Sequence, residues 1–250
     1  MHAIAYSLSA QNSASETLIS FGSFDTPLKK KVVDFGPSPY YPSPKTAPHI
    51  KLSCFYFPTF MVNEYDEGQK GATWLRIVPI SNGSMLSCTR SHHPDEKAID
   101  WFGYFEAVKA NLVFFNGADG QDGGMPFAVF DSRTGKKIFE DLAYDSSFVN
   151  MRVEVSQFNK LRVGGSKDGI SLRYLRVVAA DCDLDKEKAT CWQRMKAKLG
   201  VESSEVPVCV GYKDIPTPCV SAVAYPVEVR LSSEPVIKTI TGPVRCWPVD

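Results

Sequence analysis

Apolar and polar positions along this chain alternate mostly with period two. Met151, Val153 and Val155 stand against Arg152, Glu154 and Ser156, the pattern of a strand with one wetted face in an antiparallel sheet. Runs rich in β-branched and aromatic residues predict further strands at IKLSCFYF (50–57), TWLRIVPI (73–80), NLVFFN (111–116) and PFAVFD (126–131). KKIFEDLAY (136–144), MRVEVSQF (151–158), LRYLRVVAA (172–180), YPVEVRLS (225–232) and VIKTITG (236–242) complete the set. FDSRTGKKIF reads as a hairpin, with Asp131 opening the turn and Gly135 free to take a positive φ. VGGSKDGI (163–170) reads as a second glycine-supported turn, and residues 19–36 as an N-terminal hairpin with a polar loop. The regular strand–turn spacing predicts a mainly β protein, an antiparallel β-sandwich or barrel-like body.

Helical spacing is confined to DCDLDKEKATCWQRMKAKLG (181–200). Trp192, Met195 and Leu199 form an apolar stripe at i, i+3, i+7, Lys196 and Lys198 suit the last turn, and Gly200 is a stop signal. Asp183 and Thr190 are both candidate starts. The Thr190–Gln193 capping box favours one short helix near 190–199, with residues 183–189 as a loop that folds back.

GPSPYYPSPKTAPH (36–49) holds five prolines in 14 residues. Such a segment is expected to be extended, as a rigid crossover or a PxxP-type ligand. It divides the chain into an N-terminal arm with its Pro-rich crossover (1–49) and a main β domain (50–250), unless 1–250 is one continuous domain.

Composition narrows the function classes. The 28 Lys+Arg and 28 Asp+Glu of the 250 residues give zero net charge, without the basic excess of a nucleic-acid binder or a membrane-surface protein. No apolar run approaches the roughly 18 residues of a transmembrane helix. The N-terminal residues lack the basic and apolar regions of a signal peptide. The chain is therefore expected to be cytosolic, or a mature secreted protein whose leader lies outside it.

The seven cysteines favour a secreted or periplasmic protein. Five fall in the last 70 residues, and no CxxC pair suggests a zinc ribbon or redox motif. The short separations Cys182–Cys191 and Cys209–Cys219 suit loop-stapling disulfides. A helix running from Asp183 through Cys191 would hold Cys182 and Cys191 too far apart to bridge. Cys54 and Cys88 complete the six bridge cysteines, and Cys246 is left as the unpaired one. Asn82-Gly83-Ser84 is a glycosylation sequon.

Candidate chemistry is sparse. There is no GxSxG, and the four histidines (His2, His49, His92 and His93) sit in no triad signature. SHHPDEKAID offers His92, His93, Asp95 and Glu96 without HExxH; it reads as a solvated loop leading into a helical turn at 95–100. FNGADGQDGGMPF (115–127) places Asp119 and Asp122 in a glycine-rich loop. Such carboxylates could ligate calcium, or the loop could simply close a hairpin. Tyr40, Tyr41, Trp74, Trp101, Phe102, Tyr104 and Phe105 are of the kind that line sugar sites; the 101–115 cluster reads as core, and an exposed fraction would mark a binding face. The leading reading is a disulfide-stapled binding protein for a carbohydrate or protein ligand. A hydrolase using an Asp/Glu pair and a structural subunit of an envelope or surface assembly joined through edge strands are the alternatives.

Overall fold

The computed structural model describes residues 20–81, 86–144, 161–166, 169–203, 205–214 and 219–249. Among the described residues strand accounts for 51% and helix for 9%, in antiparallel sheets packed together without a closed barrel. Of the two architectures predicted, the sandwich is the one formed.

The first described element is β1 (Ser20–Gly22), and a five-stranded antiparallel meander follows. Its strands are β2 (Lys29–Pro37), β3 (His49–Tyr56), β4 (Phe60–Asp66), β5 (Trp74–Pro79) and β6 (Lys97–Ile99). Among the described residues the second sheet has ten strands. β7 (Gly103–Lys109), β8 (Leu112–Gly117), β9 (Gly124–Asp131) and β10 (Lys137–Tyr144) form a meander. β11 (Arg162–Ser166) and β12 (Gly169–Ala179) follow, then α1 (Leu184–Glu187) and α2 (Ala189–Leu199). β13 (Val220–Leu231), β14 (Val236–Thr239) and β15 (Arg245–Val249) end the chain, with β14 and β15 both pairing β13.

β8 and β9 are covered on both faces, which is why NLVFFN and PFAVFD are continuous apolar runs rather than alternating ones. Val113, Phe115, Ala128 and Phe130 pack with Val62, Leu75 and Ile77 of the five-stranded sheet. Leu112, Phe114, Phe127 and Val129 face the other way, onto Leu172, Tyr174, Val227 and Val229, so the ten-stranded sheet folds over a second core. Each such fully buried side chain contributes about 1.5–3 kcal/mol.

The hairpin at 131–136 forms as expected. Gly135 takes φ +69, and Asp131 Oδ1 accepts the N–H groups of Arg133 (2.9 Å) and Thr134 (3.1 Å). Ser166 pairs with Gly169, making β11–β12 the second hairpin. The strand expected at 151–158 and the sequon at Asn82 lie outside the described residues.

Five expectations are corrected. Residues 19–36 do not form a hairpin: β1 adds to β11 and β2 to β3, in different sheets. Asp25 anchors the crossing, its carboxylate accepting the N–H of Ala110 and the ammonium of Lys109. The Pro-rich segment is not extended. Turns at 39–40 and 44–46 fold it into a loop closed by the Ser38 N–H to Pro48 carbonyl bond of 2.8 Å. A proline φ near −65° suits a turn as well as it suits an extended chain. Residues 97–99 are strand, not helical turn, because they pair with Leu75–Ile77.

The helix expected near 190–199 forms as α2, but the loop expected at 183–189 holds a separate one-turn helix, α1. Asp183 caps α1 by accepting from the N–H groups of Asp185 and Lys186, and Lys188, at φ +40, breaks the path before α2. That break lets Cys182 and Cys191 bridge with a Cα separation of 5.9 Å. The cysteine assignment changes in one pair. Cys54–Cys88 forms, but Cys209 bonds to Cys246, and Cys219 is the free thiol. The pairing of β15 with β13 lays Cys246 beside Cys209 in a short parallel bridge, an arrangement no local spacing reveals.

Candidate functional site

The outward face of the five-stranded sheet is a register-built grid. Cys54, Asn63 and Arg76 lie side by side across β3, β4 and β5. Leu52, Tyr65 and Trp74 form the row on one side, and Tyr56, Met61 and Val78 the row on the other. Residues 86–96 run over this face as a strap. The strap is fixed by the Cys54–Cys88 disulfide and by the Tyr56 hydroxyl, which donates to the Leu86 carbonyl at 2.9 Å.

A charged triangle sits under the strap. The Arg76 guanidinium stacks on Trp74, 3.7 Å from the ring centroid, and pairs with Glu96 at 3.3 Å, both side chains nearly buried. His92 Nδ1 donates to Glu96 Oε1 (2.6 Å), and its Nε2 lies 3.5 Å from Arg76 Nη2. Burial alone would push the Glu96 carboxyl up; the His93 N–H, His92 and Arg76 outweigh it and hold the group below its ordinary value. Beside the triangle lies a cavity of about 130 Å³, lined by Asn63, Ser87, Thr89, Ser91, His92 and His93 among others. Asn63 is 4% exposed, and its Oδ1 has no hydrogen-bond partner. An unpaired buried group of this kind costs about 1–3 kcal/mol.

Aromatic rings emerge at the end of the same face. Arg90 of the strap lies over Tyr65 (4.5 Å) and Phe35 (5.3 Å). The loop between β2 and β3 presents Tyr40 and Tyr41, 58% and 41% exposed. Their hydroxyls are tethered, Tyr41 donating to the Gly68 carbonyl at 2.7 Å and Tyr40 to Glu67 Oε2 at 3.4 Å. Glu67 also accepts from the Tyr65 hydroxyl, which burial and that carboxylate push up. On the far side of the 66–71 loop, Phe102 is 64% exposed. It packs over Gly71, where φ is +81 and an added Cβ would sit 2.8 Å from the ring, so a side chain there would be strained.

The sequence-derived candidates are dispersed. Asp119 pairs with Lys70, whose hydrogen bond lowers the carboxyl's pKa. Asp122 has φ +50, and its carbonyl accepts the Trp247 indole N–H at 2.9 Å. Among the described residues, no three His, Cys, Asp or Glu side chains converge as a metal site. His49 pairs with Asp34 at 2.8 Å. Trp101 and Tyr104 are half-buried and hydrogen-bonded to main chain, and Phe105 packs on Phe55 in the core.

Among the described residues two carboxyls, Glu64 and Glu106, are raised by burial, and each accepts a hydrogen bond. Glu64 accepts the Phe105 N–H and Glu106 the Asn116 amide. Known protein families, curated proteins and solved structures offer no match to this chain. The site is thus defined by its own chemistry. Asn63, Arg76 and Arg90 were not singled out from the sequence, and the one available signal was a charged Arg76 inside an otherwise apolar strand.

Proposed function

We propose that this chain is a secreted or periplasmic binding protein that engages a carbohydrate or protein ligand through the strap-covered face, with no covalent chemistry of its own. The observation that carries this is the pair of exposed, hydroxyl-tethered tyrosines, Tyr40 and Tyr41, the first linked through Glu67 to Tyr65, on which Phe35 and Arg90 pack. Aromatic rings and arginines dominate binding energy at interfaces, and rings already held in place lose little entropy on binding. Three disulfides support an oxidising compartment, and among the described residues no helix is long and apolar enough to cross a membrane. We further read the body as one unit, because β2, which precedes the boundary expected at residue 49, is a strand of the same sheet as β3–β6.

The test is a screen of the wild type against a glycan array and a panel of extracellular proteins, repeated with Tyr40→Ala/Tyr41→Ala. The loss of two anchor rings should weaken any true ligand at least about tenfold at unchanged melting temperature. Hits indifferent to the substitution would move the ligand site elsewhere on the molecule. Failure of both screens to give a hit would end the reading.

A further inference from the structure

We infer that the free edge of β2 pairs with β2 of a second copy of this chain, antiparallel and about a two-fold axis at Val32. The dimer does not depend on what the aromatic face binds. β2 ends the five-stranded sheet: it pairs with β3, and among the described residues no strand pairs with its other side. It is long for an edge strand, nine residues, and seven of them are exposed. Val32 and Phe35 are 47% and 43% exposed. A long, partly apolar, uncovered edge is a template for another strand. Lysines often guard such an edge, but here Lys29, Lys30 and Lys31 occupy one half and Asp34 the other. An antiparallel partner therefore turns guarding charges into pairs.

The ladder shows which main-chain groups are open. Where β3 turns into β4, the Phe57 N–H donates to the Phe60 carbonyl at 2.8 Å. Hydrogen-bonded and non-hydrogen-bonded pairs alternate along an antiparallel ladder. The main-chain groups of Ser53 and Phe55 therefore point to β4, opposite Glu64 and Val62. Those of Leu52, Cys54 and Tyr56 point to β2, opposite Val33, Lys31 and Lys29. The bond from the Leu28 N–H to the Tyr56 carbonyl agrees with this. The N–H and C=O groups of Lys30, Val32 and Asp34 are thus directed at the open edge.

Symmetry and charge then select the register. A two-fold that continues the sheet stands perpendicular to it and passes through a residue position, so facing residues lie on the same face. An axis at Lys31 would set that lysine against its own copy. An axis at Val33 would run the partner into the stretch beyond Asp34, where the register with β3 shifts. With the axis at Val32, two valines meet at the centre, and Lys30 stands opposite Asp34 of the partner on either side of it. Lys30, Val32 and Asp34 then all fall in hydrogen-bonded pairs, each exchanging its N–H and C=O with the residue it faces. Asp34, half-exposed beside His49, has room to accept the ammonium. Both strap-covered faces look the same way in such a dimer.

The contact is short, and small interfaces are weak, so the dimer should be reversible. Sedimentation velocity of the full chain from about 5 to 500 µM, a range that brackets weak micromolar affinities, should move the wild type from monomer toward dimer. Val32→Lys sets two ammonium groups face to face at the axis and should stay monomeric at an unchanged melting temperature. Val32→Pro removes an N–H directed at the partner and leaves the ladder to β3 intact. It should also stay monomeric, and it is the second variant if Val32→Lys melts early. The register is read by Val32→Cys in a Cys219→Ser background. Facing residues of a hydrogen-bonded pair have Cα atoms about 5.5 Å apart, within disulfide reach. Mild oxidation should therefore link the copies at least about tenfold faster than in Thr89→Cys, an exposed strap position where linking needs random encounter. A wild type that remains monomeric at the highest concentration overturns the inference. So does a dimer that survives both Val32→Lys and Val32→Pro, or a Thr89→Cys chain that links as fast as Val32→Cys. Assembly beyond the dimer also overturns it, because a two-fold contact closes on itself.

Discussion

Asp131 organises the β9–β10 turn through its carboxylate, which accepts two turn N–H groups and the Asn111 amide while pairing with Arg133. The Arg133 hydrogen bond is the largest influence, and despite the opposing effect of burial the carboxyl falls from 3.8 to about 2. Arg133 itself is largely exposed, so the backbone bonds, rather than the surface ion pair, should carry most of the stabilisation. A carboxyl lowered in the folded state contributes fully above its unfolded value and loses that contribution as pH falls. Asp131→Asn should therefore cost about 1–2 kcal/mol at neutral pH, and the gap to wild type should close as pH falls from 3.8 to about 2. Urea unfolding of both proteins across that range measures it; a gap independent of pH would mean the charge is irrelevant to the turn. This site was legible because every partner but Asn111 lies within three residues. The convergence of Asn63, Arg76 and Glu96 was not, because strand register and the strap, rather than local spacing, bring them together.

Between α1 and α2, Lys188 adopts φ +40 and ψ −112, and this one residue separates two helices that would otherwise run on. A non-glycine residue held in such a region stores about 1–3 kcal/mol. It persists here because the Cys182–Cys191 bridge and the burial of Trp192 and Met195 fix both flanks. Lys188→Gly should raise the unfolding free energy by about 1 kcal/mol, since glycine relieves the strain and returns part of the gain as chain entropy. A higher urea midpoint at an unchanged slope would show it. A midpoint equal to or below that of wild type would mean the conformation is unstrained. Elements with a strong local pattern were readable: the runs at β8 and β9, the alternating half-buried strands, and the Gly200 stop, which takes φ +66. β4 was not, because Asn63, Glu64 and Asp66 interrupt its apolar run. Its two covered faces leave no simple alternation either.

At the scale of the molecule, the three bridges fasten segments that the sheets bring together. Cys54–Cys88 holds the strap on the five-stranded sheet, Cys182–Cys191 the helical corner, and Cys209–Cys246 the 205–214 segment against β15. The last pairing depends on the final described strand, because Cys246 reaches Cys209 only while β15 lies along β13. Cys219 is left with Asp183 nearby, and burial followed by that carboxylate raises its thiol pKa, so it should alkylate slowly in the folded state. Alkylation under denaturing, non-reducing conditions should therefore label one cysteine, Cys219, and reduction should add two hydrogens for each of the three bridges. Peptide mapping should recover 209 linked to 246. A labelled Cys246 with 209 linked to 219 would detach β15 from its place in the sheet. Seven labelled cysteines would remove the oxidising compartment on which the binding reading leans, while leaving the two packed sheets, whose cores depend on side-chain burial rather than on bridges, as they stand.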